Sequence, residues 1–247
     1  MKIGIIGLGN LGQALLTGLI NTGKKPSDIS VCEISELVPE IGEKYGVFAT
    51  GDIDEVFTRS DIIFLTVKSY VFAELAKKVT QPVSAKKTVV SFMAGVQFDT
   101  LFSQIGQCNL VRAMPTLAIA ANDGITGYTN APPEVEEIFR SLGYAFECAP
   151  EEIEKVMAFS SCGLGFAAHL IDAFVKAGRA LGFSQKDSEE IAQITFKNAI
   201  DRGDYEGTVK AVATKGGATE QGILHMDDCG THNIVADAVR RAYERMI

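Results

Sequence analysis

Two stretches of this chain carry residue types and spacings that can do chemistry. The first, Thr214–Ile223, reads TKGGATEQGI between two segments with helical patterning. One glycine suffices to end a helix. Here a pair, Gly216 and Gly217, is followed by Ala218, Thr219 and Glu220. Bare amides followed by a hydroxyl at a helix start are the parts of an anion site.

The second stretch, Gly7-Leu8-Gly9-Asn10-Leu11-Gly12, is G-x-G-x-x-G. It follows an apolar β-branched run and opens a helical pattern. In that context the three glycines serve, in turn, a tight turn, close approach of backbone to a pyrophosphate, and close helix–strand packing. The pattern therefore predicts a dinucleotide site. Glu33 stands at the end of the next strand, in ISVCEIS. A carboxylate there accepts from a ribose 2′-OH and repels a 2′-phosphate. No Arg or Lys follows until Lys44. The cofactor expected is NADH in preference to NADPH.

These residues need a frame. Strand patterns fall at residues 2–6, 29–33, 62–67, 88–92, 110–114, 124–128 and 145–148, and helical patterns at 11–21, 36–45 and 133–142. Apolar strands separated by helices predict a parallel sheet covered on both faces. After Ala149-Pro150 the strand signals stop. Helical patterns then run over 153–180, 185–201, 205–213, 220–226 and 233–245, with Ser184 as an N-cap and Asp187 three residues on. The fold class is thus a Rossmann-type α/β domain over residues 1–150 and an all-helical domain over 151–247. The Ala/Gly-rich helix Phe166–Leu181 is apolar on more than one face and must be buried nearly all round, which points to a partner subunit.

Bulk properties narrow the classes further. A net charge of -8 over 247 residues excludes a nucleic-acid partner. Five cysteines, without a CxxC pair, suit a reduced cytoplasmic interior. No stretch reaches about 18 uninterrupted apolar residues, so no membrane span is expected.

With the glycine fingerprint in front and KGGAT behind, the chain resembles the pyrroline-5-carboxylate reductases. LTVKSY (Leu65–Tyr70), SFMAGV (Ser91–Val96), VRAMPT (Val111–Thr116), LIDAFVKAGRALGFS (Leu170–Ser184) and KGGAT (Lys215–Thr219) look like that family's segments in order and spacing. The resemblance implies reduction of 1-pyrroline-5-carboxylate to L-proline by hydride from NAD(P)H. It implies that Val67, Lys68, Met93, Ala94, Gly95 and Pro115 join Gly7–Gly12 and Glu33 around the cofactor. It also implies that Thr219 meets the ring nitrogen of the small imino-acid substrate, and that the helical domain forms a homodimer or a larger ring of dimers. The substrate carboxylate would then be the anion held by the amides of Gly216, Gly217 and Ala218.

The chain departs from the family pattern near the expected pocket. MPNTP reads MPTLA, SGSGPAY reads SSCGLGF (Ser160–Phe166), VKPQ reads VKSY, and Lys215 replaces a proline. These changes keep open a relative acting on another cyclic imino acid or a small keto acid, or a non-catalytic dinucleotide sensor. His225, Cys229 and His232, with Asp227 and Asp228, have helical metal-ligand spacing but read better as a helix end, a Gly230 turn and the next helix, so no metal is expected. Ser160–Gly165 lacks a placed base, and Lys68 would need burial to become an acid near neutral pH.

Overall fold

The computed structural model describes residues 1–33, 36, 38–80 and 83–246. The first compact unit is Met1–Ser161 with Met246. Its strands are β1 (Ile3–Ile6), β2 (Ile29–Cys32), β3 (Phe48–Thr50), β4 (Ile62–Leu65), β5 (Thr88–Ser91), β6 (Asn109–Pro115), β7 (Gly124–Thr129) and β8 (Gly143–Glu147). They form one sheet in the order β3-β2-β1-β4-β5-β6-β7-β8. All neighbours are parallel except β6 and β7, which pair antiparallel with Arg112 opposite Thr129. The all-parallel reading fails there. Only residues 116–123 lie between Pro115 and Gly124, and a 3₁₀ turn at Leu117–Ala121 occupies most of them, leaving too little chain for a helical crossover to a parallel strand.

Successive side chains along a strand point to opposite faces, and this alternation builds two cores. On one face Ile3, Ile5, Val31, Phe64, Val90 and Val111 meet α1 (Asn10–Asn21) and α6 (Pro133–Ser141) through Leu15, Leu19, Ile138 and Phe139. On the other, Ile6, Ile63, Leu65 and Val89 meet α3 (Ile53–Arg59), α4 (Ser69–Ala76) and α5 (Phe98–Ile105) through Val56, Phe72, Leu75 and Leu101. A strand buried on both faces has no polar side, which is why β1 and β4 read as nearly unbroken apolar runs. The phenyl rings of Phe64 and Phe92 lie 5.5 Å apart and both approach Phe139. Truncating Phe64 to Ala costs about 3–5 kcal/mol at such a site.

A helix α2 (Val38–Tyr45) follows β2, and a short α7 (Ile153–Val156) runs into a five-residue π turn, Met157–Ser161. β3, α3, α4 and α5 lie outside the stretches whose patterning marks strands or helices. They are short, and three of their helical spans hold only seven or eight residues.

The second unit, Cys162–Arg245, is helical. It comprises α8 (Cys162–Ala180), α9 (Gln185–Arg202), α10 (Tyr205–Val212), α11 (Ala218–Asp228) and α12 (Thr231–Glu244). Ser184 caps α9 as its sequence indicates: its Oγ accepts from the Asp187 amide at 3.0 Å. Asp187 Oδ2 in return accepts from the Ser184 hydroxyl rather than from the Ser184 amide, because an Asp side chain is one methylene shorter than the Glu of a full capping box.

Along α8 only Val175 is buried, while Leu164, Leu170 and Phe174 are exposed. The helical run Pro150–Ala180 is long and apolar enough to cross a membrane by length and composition, with 11% of the qualifying window buried. Counting uninterrupted apolar residues misses it, because Gly163, Gly165 and His169 break the run without lowering its mean hydropathy below 1.4.

Candidate active site

The reversal of strand order lies at β1, with β2 on one side and β4 on the other. Crevices outside the carboxyl ends of strands at such a point receive ligands in open α/β sheets. The glycine loop begins there. Gly7 adopts φ +95°, and a Cβ on it would lie 2.3 Å from Val67 Cγ1, in the segment following β4. A Cβ on Gly12 would lie 2.1 Å from the Gly7 carbonyl oxygen, so this glycine lets α1 close on the loop. A Cβ on Gly9 would meet nothing within 4 Å. The three glycines thus divide into a turn, a packing contact and a position open to a ligand, as a dinucleotide loop requires. Gly9 is also the N-cap of α1 and offers no side-chain cap, leaving first-turn amides directed outward.

The loop is tied down on both flanks. The Gly7 amide donates to the Cys32 carbonyl at 2.9 Å. Thr66 Oγ1 donates to the carbonyls of Ile6 at 3.0 Å and Gly7 at 2.6 Å. Gln13 Nε2 donates to the Leu8 carbonyl at 2.9 Å. Glu33 Oε2 accepts from the Leu8 amide at 2.8 Å. Beside it a cleft is lined by Leu8, Gln13, Glu33, Glu40, Ile41, Lys44 and Tyr45. Burial and the adjacent Glu33 carboxylate push the Cys32 thiol up to about 11, so it stays protonated.

Along the same sheet edge, β4, β5 and β6 deliver the other sequence-predicted residues of this unit. Lys68 is the exposed N-cap of α4. After β5, Met93 is buried in the core, while Ala94 is half-buried and Gly95 is exposed with φ +70°. Pro115 ends β6, and its carbonyl accepts from Ser161 Oγ at 3.2 Å. Thr116 Oγ1 accepts from the Ile125 amide at 3.0 Å, so this side chain is turned into the sheet.

The second stretch forms its own turn in the helical unit. Gly216 has φ +73°, and its amide donates to Glu220 Oε2 at 2.6 Å. The Gly217 amide donates to the Thr214 carbonyl at 2.8 Å. Gly217 is the N-cap of α11 without a side-chain cap, so Ala218, Thr219 and Glu220 occupy the first turn, where helix amides have no intrahelical acceptor. Thr219 is exposed. Of the amides named from sequence, those of Gly216 and Gly217 hold the turn, and that of Ala218 stands at the helix start. Further on, Gly230 at φ +72° follows the Cys229 cap of α11, and no three His, Cys, Asp or Glu side chains converge among the described residues.

Comparison with known proteins places both units. Residues 2–95 match the family model described as NADP oxidoreductase, coenzyme F420-dependent, and residues 150–247 match pyrroline-5-carboxylate reductase dimerisation. The chain is 28% identical over 261 residues to the pyrroline-5-carboxylate reductase of Staphylococcus epidermidis, covering 99% of this chain and 96% of that one. It is 29% identical over 259 residues to the enzyme of Methanosarcina acetivorans, with the same coverage. The crystal structure of the Plasmodium falciparum pyrroline carboxylate reductase with NADP bound superposes with a TM-score of 0.90 at 22% identity, covering 100% of this chain and 97% of that one.

The chain belongs to the pyrroline-5-carboxylate reductase family.

Against the family pattern two departures acquire geometry. Ser161 stands where that pattern has glycine and ties the π turn to the end of β6. Thr116, in place of asparagine, is spent on a sheet bond. Sequence reasoning missed Thr66, Gln13 and the α2 lining residues. A hydroxyl directly after an apolar strand was the one available signal for Thr66. The α2 residues reach the cleft through the fold alone.

Proposed function

We propose that this chain reduces 1-pyrroline-5-carboxylate to L-proline with hydride from a nicotinamide dinucleotide. The observation carrying this reading is the glycine loop at the sheet's reversal point, with Gly9 open and Gly7 and Gly12 closed, in a chain matched end to end by reductases of this type. Hydride leaves the dihydronicotinamide ring and adds to the carbon of a protonated C=N bond. The nitrogen keeps its proton and takes the former π electron pair, giving a neutral secondary amine. No negative charge develops on the reacting bond, so the site needs positioning and a hydrogen-bond partner more than a strong acid. Thr219 is assigned as that partner to the ring nitrogen. The α11 start, with the Ala218 amide in its first turn and Gly216 and Gly217 shaping the approach, is assigned to the substrate carboxylate. Gly7, Leu8, Gly9, Asn10, Leu11, Gly12, Glu33, Val67, Lys68, Met93, Ala94, Gly95 and Pro115 are assigned to the cofactor.

NADH is the preferred donor in this reading. The Glu33 carboxylate stands at the end of β2, and its cleft holds a second carboxylate, Glu40, against the single ammonium of Lys44. A ribose hydroxyl suits that balance, and a 2′-phosphate does not. The chain works as a homodimer or a ring of dimers in the cytoplasm, with the exposed apolar residues of α8 covered by a partner. The altered Thr116 and Ser161 favour, as a second reading, a cyclic imino acid of different ring size.

Steady-state oxidation of NADH and NADPH with pyrroline-5-carboxylate, and in parallel with a six-membered cyclic imino acid, tests these assignments. Turnover with the five-membered ring and a higher kcat/KM for NADH is the expected result. NADH binding without turnover of either ring would defeat the enzyme reading and leave a sensor.

A further inference from the structure

Arg112 is the largest fully buried side chain of the unit, and no role has been assigned to it. It stands on β6 in register with Ser91, the last residue of β5. Its Nη2 donates to Glu154 Oε1 on α7, and its Nη1 to the Pro150 carbonyl at 3.3 Å. Its Nε is buried without a hydrogen-bond partner among the described residues. Glu154 is buried as well. Burying two charges and leaving a donor unmatched is a poor way to stabilise a fold, since desolvation offsets most of the attraction. The pair does something else: Glu154 Oε1 also accepts from the Gly95 amide at 3.3 Å.

That contact falls in the segment joining β5 to α5. Its beginning is fixed by the Phe92 amide on the Leu65 carbonyl at 3.0 Å and by the Met93 amide on Ser91 Oγ at 3.3 Å. Gly95, at φ +70°, is where it turns, and the side-chain acceptor supplied to it comes from Glu154. Arg112 holds that carboxylate in one place from the strand next door. The route runs from β6 through Arg112 and Glu154 to the backbone at Gly95.

We propose that Glu154, clamped by Arg112, is a positioning residue that sets the backbone of Met93–Gly95 for the cofactor. The inference rests on the reading of Met93–Gly95 as a cofactor-binding segment. Removing Glu154 alone would strand a buried guanidinium and threaten the fold. The test therefore compares two double variants that both lack the charge pair. Arg112→Met/Glu154→Gln keeps a carbonyl oxygen for the Gly95 amide, whereas Arg112→Met/Glu154→Leu does not. Direct titration of NADH fluorescence is expected to give a Kd within about twofold of the native protein for the Gln variant and about tenfold weaker for the Leu variant, as for a buried backbone amide left without its acceptor. KM for NADH should follow the Kd, with kcat much less affected. Equal affinities in two folded variants overturn the proposal. Should neither fold, amide exchange of ¹⁵N-glycine-labelled native protein decides: a protected Gly95 amide supports the tie, and one exchanging at the open-chain rate overturns it. Failure of the native protein to bind NADH would instead sink the cofactor reading, which the exchange measurement does not depend on.

Discussion

The Leu8 amide donates to Glu33 Oε2 at 2.8 Å, so the second residue of the glycine loop is held by the carboxylate that ends β2. One side chain therefore does two jobs: it shapes the loop and presents charge at the edge of a cleft also lined by Glu40 and Lys44. Charge and shape are separable by mutation because glutamine keeps an acceptor and loses the charge.

Glu33→Gln is expected to leave the loop in place and, on the proposal that NADH is preferred, to shift the kcat/KM ratio of the two cofactors toward NADPH by about tenfold, the size of one charge-assisted hydrogen bond. Parallel kinetics with the two cofactors measures it. An unchanged ratio would remove Glu33 from cofactor selection.

Gly9 and Gly12 make opposite predictions. Gly9→Ala adds a methyl to open space, so Tm should stay within a few degrees while NADH affinity falls more than tenfold. Gly12→Ala drives a methyl to 2.1 Å from the Gly7 carbonyl and should cost about 1–3 kcal/mol or more of stability. Thermal melts alongside NADH titration distinguish the two.

Thr219→Ala should lower kcat by about tenfold to a hundredfold while NADH affinity stays near normal, since the exposed hydroxyl serves no cap at α11. Turnover equal to that of the native protein would take Thr219 out of the mechanism.

Ser161→Gly restores the residue of the family pattern and removes the bond to the Pro115 carbonyl. A stability loss of about 1 kcal/mol is expected from that bond and from added glycine freedom. If Ser161 also narrows the pocket, the ratio of kcat/KM between five- and six-membered imino acids should change. A constant ratio confines its role to the π turn.

Cys32 and Cys108 are both pushed up to about 11 by burial, with the Glu33 carboxylate adding to the effect at Cys32. A thiol whose folded value is raised contributes stability that is fully present below the unfolded value, about 9, and lost as pH rises toward 11. The free energy of unfolding should fall between pH 9 and 11, by on the order of 2–3 kcal/mol per thiol. Cys32→Ala should flatten part of that slope. At pH 8 the native protein should leave both thiols unlabelled by an aromatic disulfide reagent on the minute timescale.

The elements legible in the sequence were those with long or strongly apolar patterns. β1 and β4 announced themselves because parallel strands covered on both faces favour unbroken apolar runs. α9 announced itself by Ser184. The three glycines of the loop were legible because each answers a local steric demand that only glycine meets. The short α3, α4 and α5 were not, since spans of seven or eight residues are too short to tell a helix from a short apolar strand by pattern. Nor was the antiparallel β6–β7 pair, whose direction depends on how little chain lies between them.

The sequence by itself determined the class of chemistry: a glycine-rich dinucleotide loop, an acid at the end of β2, and a Gly-Gly-Ala-Thr helix start. Those signals are local, and local backbone sterics and helix-end electrostatics suffice to read them. The tertiary structure alone decided which side chains hold the loops. Glu33 sits 25 residues from Leu8, Thr66 59 from Gly7, and Glu154 59 from Gly95. No pattern along the chain encodes such pairs. They form because parallel strands bring their carboxyl ends to one edge, where a buried polar group must find its partner or lose the hydrogen bonds it had in water.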